Sequence, residues 1–239
     1  MDYYRSVKEE LERIAAGWMQ EPVSVVSART LSSKEAIGTP ERTDFPLQKG
    51  KEFMIEAVFR EARGQAFTDM PGNFQGSLKD VVGLELRDNF ERAIFIAAFN
   101  AVMRHSGTVT GTVHCRDKQP KLCAEQLPGF VRKHFANPKI AFIGYQPAMI
   151  EELSHSFQLR VVDLDEGNIG QERFGIRVEG PEKTEEVLLW GDMVMATGST
   201  CVNGSITDFL IKKPVVFFGV TVAGLAVLEG YRRYCPFGQ

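Results

Sequence analysis

The sequence predicts a mixed α/β protein, with an N-terminal α+β unit followed by a Rossmann-like parallel sheet flanked by helices. Strands and turns dominate the first 75 residues, and one long apolar helix follows them. Beyond residue 138, short apolar strands alternate with helical segments, which is typical of a parallel sheet with right-handed crossovers. We therefore predict an α+β domain over residues 1–110, a Rossmann-like domain over residues 111–239, and a connector at about 108–137.

The composition is that of an ordinary globular chain and argues against two kinds of partner. The 239 residues are 44% hydrophobic and 25% charged, with a formal net charge of -3. A weakly acidic chain lacks the basic surface typical of nucleic-acid binding. The longest uncharged run, residues 214–228, is too short to span a bilayer and contains two glycines. We expect no nucleic-acid partner and no membrane span.

Cysteine usage favours a reducing compartment. The four cysteines form no Cys-x-x-Cys pair, and no basic segment followed by an apolar run opens the sequence. We therefore expect reduced thiols and a cytoplasmic location.

Residue spacing predicts the N-terminal elements in turn. Apolar side chains three and four residues apart predict an amphipathic helix, whose apolar face comprises Tyr4, Val7, Leu11, Ile14 and Trp18. Val23–Ser27 and Phe53–Phe59 are predicted strands, with a proline-containing loop at 38–46 between them. Residues 67–74 are a predicted loop that could close over a ligand.

A strong helix is predicted from Phe90 to about Arg104. Asp88 can cap it, Glu91 completes a capping box, and Gly107 marks its end. Its centre is apolar on all sides, which indicates a buried helix. Asn100 is the polar side chain inside it, and it is either hydrogen-bonded to nearby backbone or part of a site.

The second half is predicted from apolar runs and helix-start signals. The expected strands are Lys139–Ile143, Leu159–Asp165, Met193–Ala196 and Val215–Phe218. The expected helices are Leu127–Phe135, a segment opened by Pro147, Glu182–Leu189 and Ile206–Ile211.

The strongest binding signal is a run of small polar residues directly after the third of these strands. In open α/β sheets, ligands bind outside the carboxyl ends of strands, and a helix start there attracts anions. Asn203 and Gly204 stand at or just before the helix start. The alternative is that the hydroxyls only cap the helix. The run consists of Thr197, Gly198, Ser199 and Thr200.

The first strand of this half ends at Gly144, and Asp163 lies 19 residues further on. A dinucleotide fingerprint needs three glycines at such a turn, and only Gly144 is present, so classical NAD is not favoured. A nucleoside-like cofactor such as S-adenosylmethionine stays open. Asp163 and Asp165, two apart on a strand, are expected on the same face. They supply acid–base groups or an acidic rim, or else cap the following turn.

Metal ligands cannot be assigned from the sequence. His114, Cys115 and Cys123 are candidates, but their spacing matches no standard zinc pattern. Cys201 is a candidate nucleophile because a helix start lowers a thiol pKa, with a small buried thiol as the alternative.

Four segments together resemble a family described as "Putative heavy-metal chelation": residues 97–101, 142–147, 163–165 and 196–204. The resemblance implies an enolase N-terminal-like domain before a Rossmann-like domain that is similar to methyltransferases, with a site between them. It also implies a pterin-, flavin- or siderophore-like ligand and a link to heavy metals. Many members carry Gly-Pro-Ser after the last strand, where this chain has Gly219-Val-Thr221. The resemblance therefore implies a ligand contact at Ser199 more directly than at Gly219.

Two main functions follow as hypotheses. The first is an enzyme for condensation, hydrolysis or group transfer, in which Asp163 or Asp165 provides acid–base chemistry. The residues orienting its ligand would be Asn100, Ser199, Thr200 and Asn203. The second is a non-catalytic binder of a metal ion or metal–chelator complex. A methyltransferase-like enzyme that binds S-adenosylmethionine or a nucleotide is a further alternative, and a homo-oligomer is compatible with each.

Overall fold

The computed structural model describes residues 3–27, 33–50 and 52–239. The N-terminal strands form a four-stranded antiparallel sheet. They are β1 (Pro22–Ser27), β2 (Phe53–Phe59), β3 (Ala62–Thr68) and β4 (Phe74–Ser77), in the order β3-β2-β1-β4. The helices of this half are α1 (Tyr3–Ile14), α2 (Ser33–Ile37), α3 (Leu78–Gly83) and α4 (Asn89–His105).

The C-terminal strands form a seven-stranded sheet. They are β5 (Ile140–Ile143), β6 (Leu159–Val162), β7 (Glu172–Arg173), β8 (Ile176–Glu179), β9 (Met193–Thr197), β10 (Val215–Phe218) and β11 (Arg232–Tyr234). The order is β11-β10-β9-β5-β6-β8-β7, with β7 antiparallel to β8 and the other pairs parallel. Numbered along the chain, the six parallel strands follow the 3-2-1-4-5-6 order of dinucleotide-binding folds. The predicted α/β fold class is confirmed.

Five helices accompany this sheet: α5 (Gln119–Phe135), α6 (Pro147–Ser154), α7 (Thr184–Trp190), α8 (Thr200–Asn203) and α9 (Ala223–Leu228). The side chains of each central strand alternate between two cores, as a pleated strand requires. In β5, Ala141 and Ile143 face the core that contains α4, whereas Ile140 and Phe142 face the core that contains α5 and α6. Among the described helices, none is both long and apolar enough to cross a bilayer.

Several elements differ from the sequence prediction. The helix predicted from Leu127 already begins at Gln119, because Pro120 lies in its first turn and Pro128 is accommodated inside it. The helix predicted at 206–211 is a short 3-10 turn (Ile206–Phe209), and α8 instead starts at Thr200, within the polar run. The sequence does not predict β3, β4, β7, β8 or β11. Their short or charged sequences lack a strong apolar period.

Helix α4 lies between the two sheets, as its apolar composition indicates. Asp88 accepts a hydrogen bond from the Glu91 amide at 2.9 Å. The Glu91 carboxylate accepts from the amide of Arg87 rather than from that of Asp88, so the predicted capping box is only half formed. β3 packs directly on α4 at Gly64, where an added Cβ would lie 2.3 Å from the backbone of Ala101. The missing side chain therefore permits this close approach.

The N-terminal half also contacts the far side of the C-terminal sheet. Ala36, Ile37, Phe45 and Met54 join the core formed with α5 and α6. Arg42 donates to Asp44 and to Glu151 of α6. The chain before residue 110 thus packs on both faces of the second sheet. The predicted domain division at 110 stays a prediction.

The junction between the sheets is closed by the side chain of Asn100, which is 0% exposed. Its Nδ2 donates to the carbonyls of Gln65 (3.1 Å), Val220 (3.3 Å) and Thr221 (2.9 Å). Its Oδ1 accepts from the amide of Gly224 at 2.7 Å. Asn100 therefore ties β3 to the loop that follows β10.

We expect Asn100→Ala to lower the free energy of unfolding by about 2–4 kcal/mol, because it leaves buried backbone groups unpaired and opens a cavity. Urea unfolding monitored by circular dichroism measures this difference. The control is Asn137→Ala at an exposed position, which should change stability by less than about 0.5 kcal/mol. Equal effects of the two variants would contradict the junction role.

Candidate functional site

The carboxyl ends of β5 and β9 meet at the point where the strand order reverses, which is the usual ligand position in such sheets. Gly144 follows β5 with φ +92°, a backbone conformation that favours glycine. An added Cβ there would lie 2.7 Å from Cγ2 of Thr197. The missing side chain of Gly144 therefore leaves room for Thr197 at the point where the strand order reverses.

The polar run after β9 forms a compact turn. The hydroxyl of Thr197 donates to that of Ser199 at 3.3 Å and accepts from the Ser199 amide, also at 3.3 Å. Thr200 is buried, and its hydroxyl donates to the carbonyl of Thr197 at 2.8 Å. Gly198 is also buried, and a Cβ there would lie 2.9 Å from the amide of Val222. Thr197 and Ser199 are the partly exposed members of the run.

The expected helix-start effect at this turn is small because α8 has only four residues. Its carbonyls are bound from the N-terminal half. Tyr4 donates to the carbonyl of Cys201 at 2.8 Å, and Arg92 of α4 donates to that of Val202 at 2.5 Å. This side of the turn is therefore packed against the N-terminal half of the chain.

Asn203 and Gly204 lie at the end of α8 rather than at a helix start. The Oδ1 of Asn203 accepts from the amide of Ser205 at 3.0 Å and from its hydroxyl at 2.7 Å. Gly204 has φ +86° and lies beside the guanidinium of Arg92.

Asp163 and Asp165 follow β6 in a loop, so the prediction that they share a strand face is wrong. They are nevertheless adjacent, since Oδ1 of Asp163 accepts from the Asp165 amide at 2.9 Å. Oδ1 of Asp163 also accepts from Asn168 at 3.1 Å, and the Tyr145 backbone after β5 donates to the same carboxylate. Burial raises the pKa of Asp163 in spite of these donors. The loop thus bridges the ends of β5 and β6.

Two acidic residues of the N-terminal half influence this loop electrostatically. No sequence signal points to Glu52, whereas Asp69 lies in the loop at 67–74 that is predicted to close over a ligand. Glu52 immediately precedes β2, and Asp69 follows β3. Burial first, and then the neighbouring charges of Asp163, Asp165 and Asp69, together raise the pKa of Glu52 to about 7. A carboxyl group with this pKa exchanges protons at neutral pH.

The loop after β10 forms a further part of the carboxyl edge of the seven-stranded sheet. Gly219 has φ +94°, and the space where its side chain would stand is open. The hydroxyl of Thr221 accepts from the amide of Phe67 in β3 at 3.1 Å, which ties the loop to the N-terminal sheet. Gly219 is thus the part of this loop that a ligand could approach.

Thiols and histidine do not form a metal centre in the described part of the chain. No group of three or more His, Cys, Asp or Glu side chains there is arranged to hold a metal ion. Burial raises the pKa of Cys115, Cys123 and Cys201 and lowers that of His114. Protonated thiols are poor nucleophiles and poor metal ligands, which argues against Cys201 as a nucleophile.

Two cavities lie away from this edge. One of about 190 Å³ is lined by Tyr4, Arg5, Lys8, Glu85 and Leu86. The other, of about 100 Å³, is lined by Glu61, Arg63, Arg104, Val113 and Gln239. Both are smaller than typical ligand pockets, and neither contains a predicted site residue.

Known proteins share this architecture. Residues 129–232 match the sequence model of the family described as "Putative heavy-metal chelation" (DUF364), so the predicted resemblance is confirmed over that range. A protein of unknown function from this family in Pyrococcus horikoshii superposes with a TM-score of 0.53 at 17% identity, over 90% of this chain and 77% of that chain.

A second family member, from Desulfitobacterium hafniense DCB-2, superposes with a TM-score of 0.54 at 16% identity, over 95% of this chain and 83% of that chain. It too is described as a protein of unknown function. At these identities the likeness shows the fold alone. No curated protein matches the chain significantly.

We expect Glu52→Gln to stabilise the protein at pH 8 by an amount on the order of 2–3 kcal/mol, and not at pH 4. The pKa of Glu52 rises from 4.5 to about 7 on folding, so the folded state binds the extra proton. The associated stability is present below pH 4.5 and is lost as the pH rises through about 7. Urea unfolding at both pH values measures it.

The matched control is Glu166→Gln, which removes an exposed carboxylate from the Asp163 loop. This control should show no gain that grows with pH. A Glu52→Gln variant with wild-type stability at pH 8 would contradict the raised pKa of that carboxyl.

Proposed function

We propose that the protein binds and chemically transforms a small heterocyclic ligand at the carboxyl edge of the seven-stranded sheet. The observation that carries this proposal is the electrostatic coupling of acidic groups from both halves of the chain at the ends of β5 and β6, beside the strand-order reversal. Glu52 comes from the N-terminal half, and Asp163 and Asp165 come from the C-terminal half. Ligands in open α/β sheets bind in the crevice at this position.

The residues divide into ligand contacts and supporting groups. The partly exposed hydroxyls of Thr197 and Ser199 bind polar ligand atoms, while Gly144 and Gly219 let the ligand approach the backbone closely. Thr200 holds the turn from within, through its bond to the Thr197 carbonyl. The supporting residues at the junction with α4 are Asn100, Asn203 and Gly204.

Proton transfer is the chemistry that the acidic groups supply. With a pKa of about 7, Glu52 is present in both protonation states near neutral pH and can serve as general acid or general base. Asp163 or Asp165 can serve as its partner, because neighbouring carboxyls separate each other's pKa values. Condensation, hydrolysis and group transfer all require such a step.

The ligand class is proposed from the family resemblance: a pterin-, flavin- or siderophore-like molecule, which includes a metal chelator. S-Adenosylmethionine or a nucleotide is the competing candidate, favoured by the placement of Asp163 directly after the second parallel strand. The free cysteines of the described chain support a reducing compartment such as the cytoplasm.

The proposal is tested by titrating a pterin, a flavin and S-adenosylmethionine separately and following the thermal midpoint. We expect one of the three to stabilise the protein and Thr197→Val to weaken its binding about three- to tenfold, the cost of one hydrogen bond. Thr207→Val, at an exposed position beyond the turn, is the control and should bind normally. Failure of all three ligands, or equal binding by the two variants, would overturn the proposal.

The second candidate is a non-catalytic binder of a metal ion or metal complex, and the family description favours it. Soft heavy metals prefer thiolates, but burial keeps Cys115, Cys123 and Cys201 protonated. A metal complex carried by an organic chelator therefore fits the edge better than a directly bound heavy-metal ion.

We expect protein purified without an affinity tag to contain less than stoichiometric metal by elemental analysis. Titration with Cd²⁺ should give the same weak response in wild type, Cys115→Ser and Cys201→Ser, because the buried thiols of Cys115 and Cys201 are not ligands. Stoichiometric metal that is lost in either variant would instead support direct metal binding.

A further inference from the structure

We propose that His114 is a ligand-binding residue of this edge, and that its Nε2 accepts a hydrogen bond from an N–H or O–H group of the ligand bound beside Gly219. This inference rests on the proposed function and adds a chemical requirement that its ligand has to meet. Three features of the molecule support it: the position of the ring, the tautomer that its hydrogen bond imposes, and a ring nitrogen without a partner.

His114 lies in a connector that runs between β3 and the segment after β11. On one side, the backbone amide of Gln65 in β3 donates to the carbonyl of Thr112 at 2.9 Å. On the other side, Val113 and Gln239 exchange two backbone hydrogen bonds of 2.9 and 2.8 Å. The backbone that carries His114 is therefore held by both halves of the chain.

The ring of His114 lies one residue away from the loop that follows β10. It packs edge-on against the ring of Phe67, with the ring centroids 5.4 Å apart and the planes at 87°. The Phe67 amide donates to the hydroxyl of Thr221 in that loop at 3.1 Å. Gly219, two residues earlier, follows the strand that pairs with β9 at Thr197. His114 is thus placed near the loop whose first residue is open to a ligand.

Hydrogen bonds fix both the backbone and the tautomer of His114. Its amide donates to Oε1 of Gln65 at 2.7 Å, and its Nδ1 lies 2.6 Å from the carbonyl oxygen of Cys115. A carbonyl oxygen can only accept, so Nδ1 carries the proton. Burial lowers the pKa of His114, which keeps the ring neutral at physiological pH. In a neutral ring with the proton on Nδ1, Nε2 is an acceptor.

Nε2 of His114 makes no hydrogen bond within residues 3–27, 33–50 and 52–239. The side chain is half-buried, not fully enclosed. His105 provides a contrast, since its Nε2 lies 2.9 Å from a guanidinium nitrogen of Arg60. A histidine that is oriented through one ring nitrogen presents the other to a ligand in a fixed direction.

The acceptor character of Nε2 determines which ligand groups it can bind. A lone pair attracts N–H and O–H groups, whereas a carboxylate or phosphate oxygen would direct its own lone pairs against it. A ring N–H or a hydroxyl group of a heterocycle meets this requirement. Nε2 can also take up the proton of the group that it binds, which is the chemistry of a general base.

The state of the ring can be tested without a ligand. Long-range ¹H–¹⁵N NMR at pH 8 should show a neutral His114 ring with its proton on Nδ1, assigned by the loss of the signals in His114→Asn. Diethyl pyrocarbonate acylates unprotonated imidazole nitrogens and should modify His114 in the folded protein. Peptide mass spectrometry locates the modification, with the exposed His155 as the reference.

Binding is tested with two matched substitutions. In His114→Asn the side-chain amide can still donate to the Cys115 carbonyl, but nothing replaces Nε2, whereas in His114→Gln an oxygen can reach the position of Nε2. We expect the pterin, flavin or S-adenosylmethionine that stabilises wild type to bind His114→Asn about three- to tenfold more weakly, the cost of one hydrogen bond. His114→Gln should bind more tightly than His114→Asn, and His155→Asn should bind normally. Bound ligand should also protect His114 from diethyl pyrocarbonate.

The inference is overturned if the ring carries its proton on Nε2, or if His114 stays unmodified while His155 reacts. It is also overturned if His114→Asn binds the ligand as well as His155→Asn does, or if bound ligand gives His114 no protection. The NMR and protection measurements use wild type, so they decide the matter even if His114→Asn does not fold. A ligand that Thr197→Val weakens and His114→Asn does not would leave the proposed function intact and remove only this contact. If none of the three ligands binds, the proposed function and this inference fail together.

Discussion

The buried amide of Asn100 fixes the loop after β10 against the N-terminal half of the chain. It lies on α4 between the two sheets, where no water can replace a lost hydrogen bond. It bonds to β3 through Gln65 and to the loop after β10 through Val220, Thr221 and Gly224. That loop packs in turn on the polar run after β9, so the N-terminal half determines how the strand ends of the C-terminal sheet are held.

The carboxyls of Glu52 and Asp163 at the sheet edge are electrostatically unfavourable in their ionised forms. Burial and three neighbouring acids raise the pKa of Glu52, so its ionised form opposes folding at neutral pH. The pKa of Asp163 is raised although it accepts several hydrogen bonds. Groups whose pKa values are displaced by burial and by neighbouring charge concentrate at functional sites. The hydrogen-bonded junction at Asn100 and the carboxyls with raised pKa values at the sheet edge therefore separate scaffold from site.

The sequence predicted the parts of this molecule that are encoded locally. The buried α4 followed from an apolar centre and a capping aspartate, Asp88, and the β9 turn followed from small residues after an apolar strand. The sequence does not predict β3, because Gly64 and its polar neighbours have no apolar alternation. Their place in a strand depends on close packing against α4. The role of Glu52 is not predicted for a similar reason. Nothing near it in the sequence indicates the charges of Asp163 and Asp165, which lie more than 100 residues further along the chain.

The acidic side chains near the sheet edge come from two parts of the chain, of which only one matches the family model. The matched range of 129–232 contains Asp163, Asp165 and the turn at Thr197, but Glu52 and Asp69 lie outside it. The two solved relatives share the fold at 16–17% identity, which permits wholly different side chains at these N-terminal positions. If the C-terminal sheet supplies a common binding edge, the charge that the N-terminal half adds there decides which ligand is accepted. Specificity in this architecture would then vary with the residues before β2 and after β3, which lie outside the matched range.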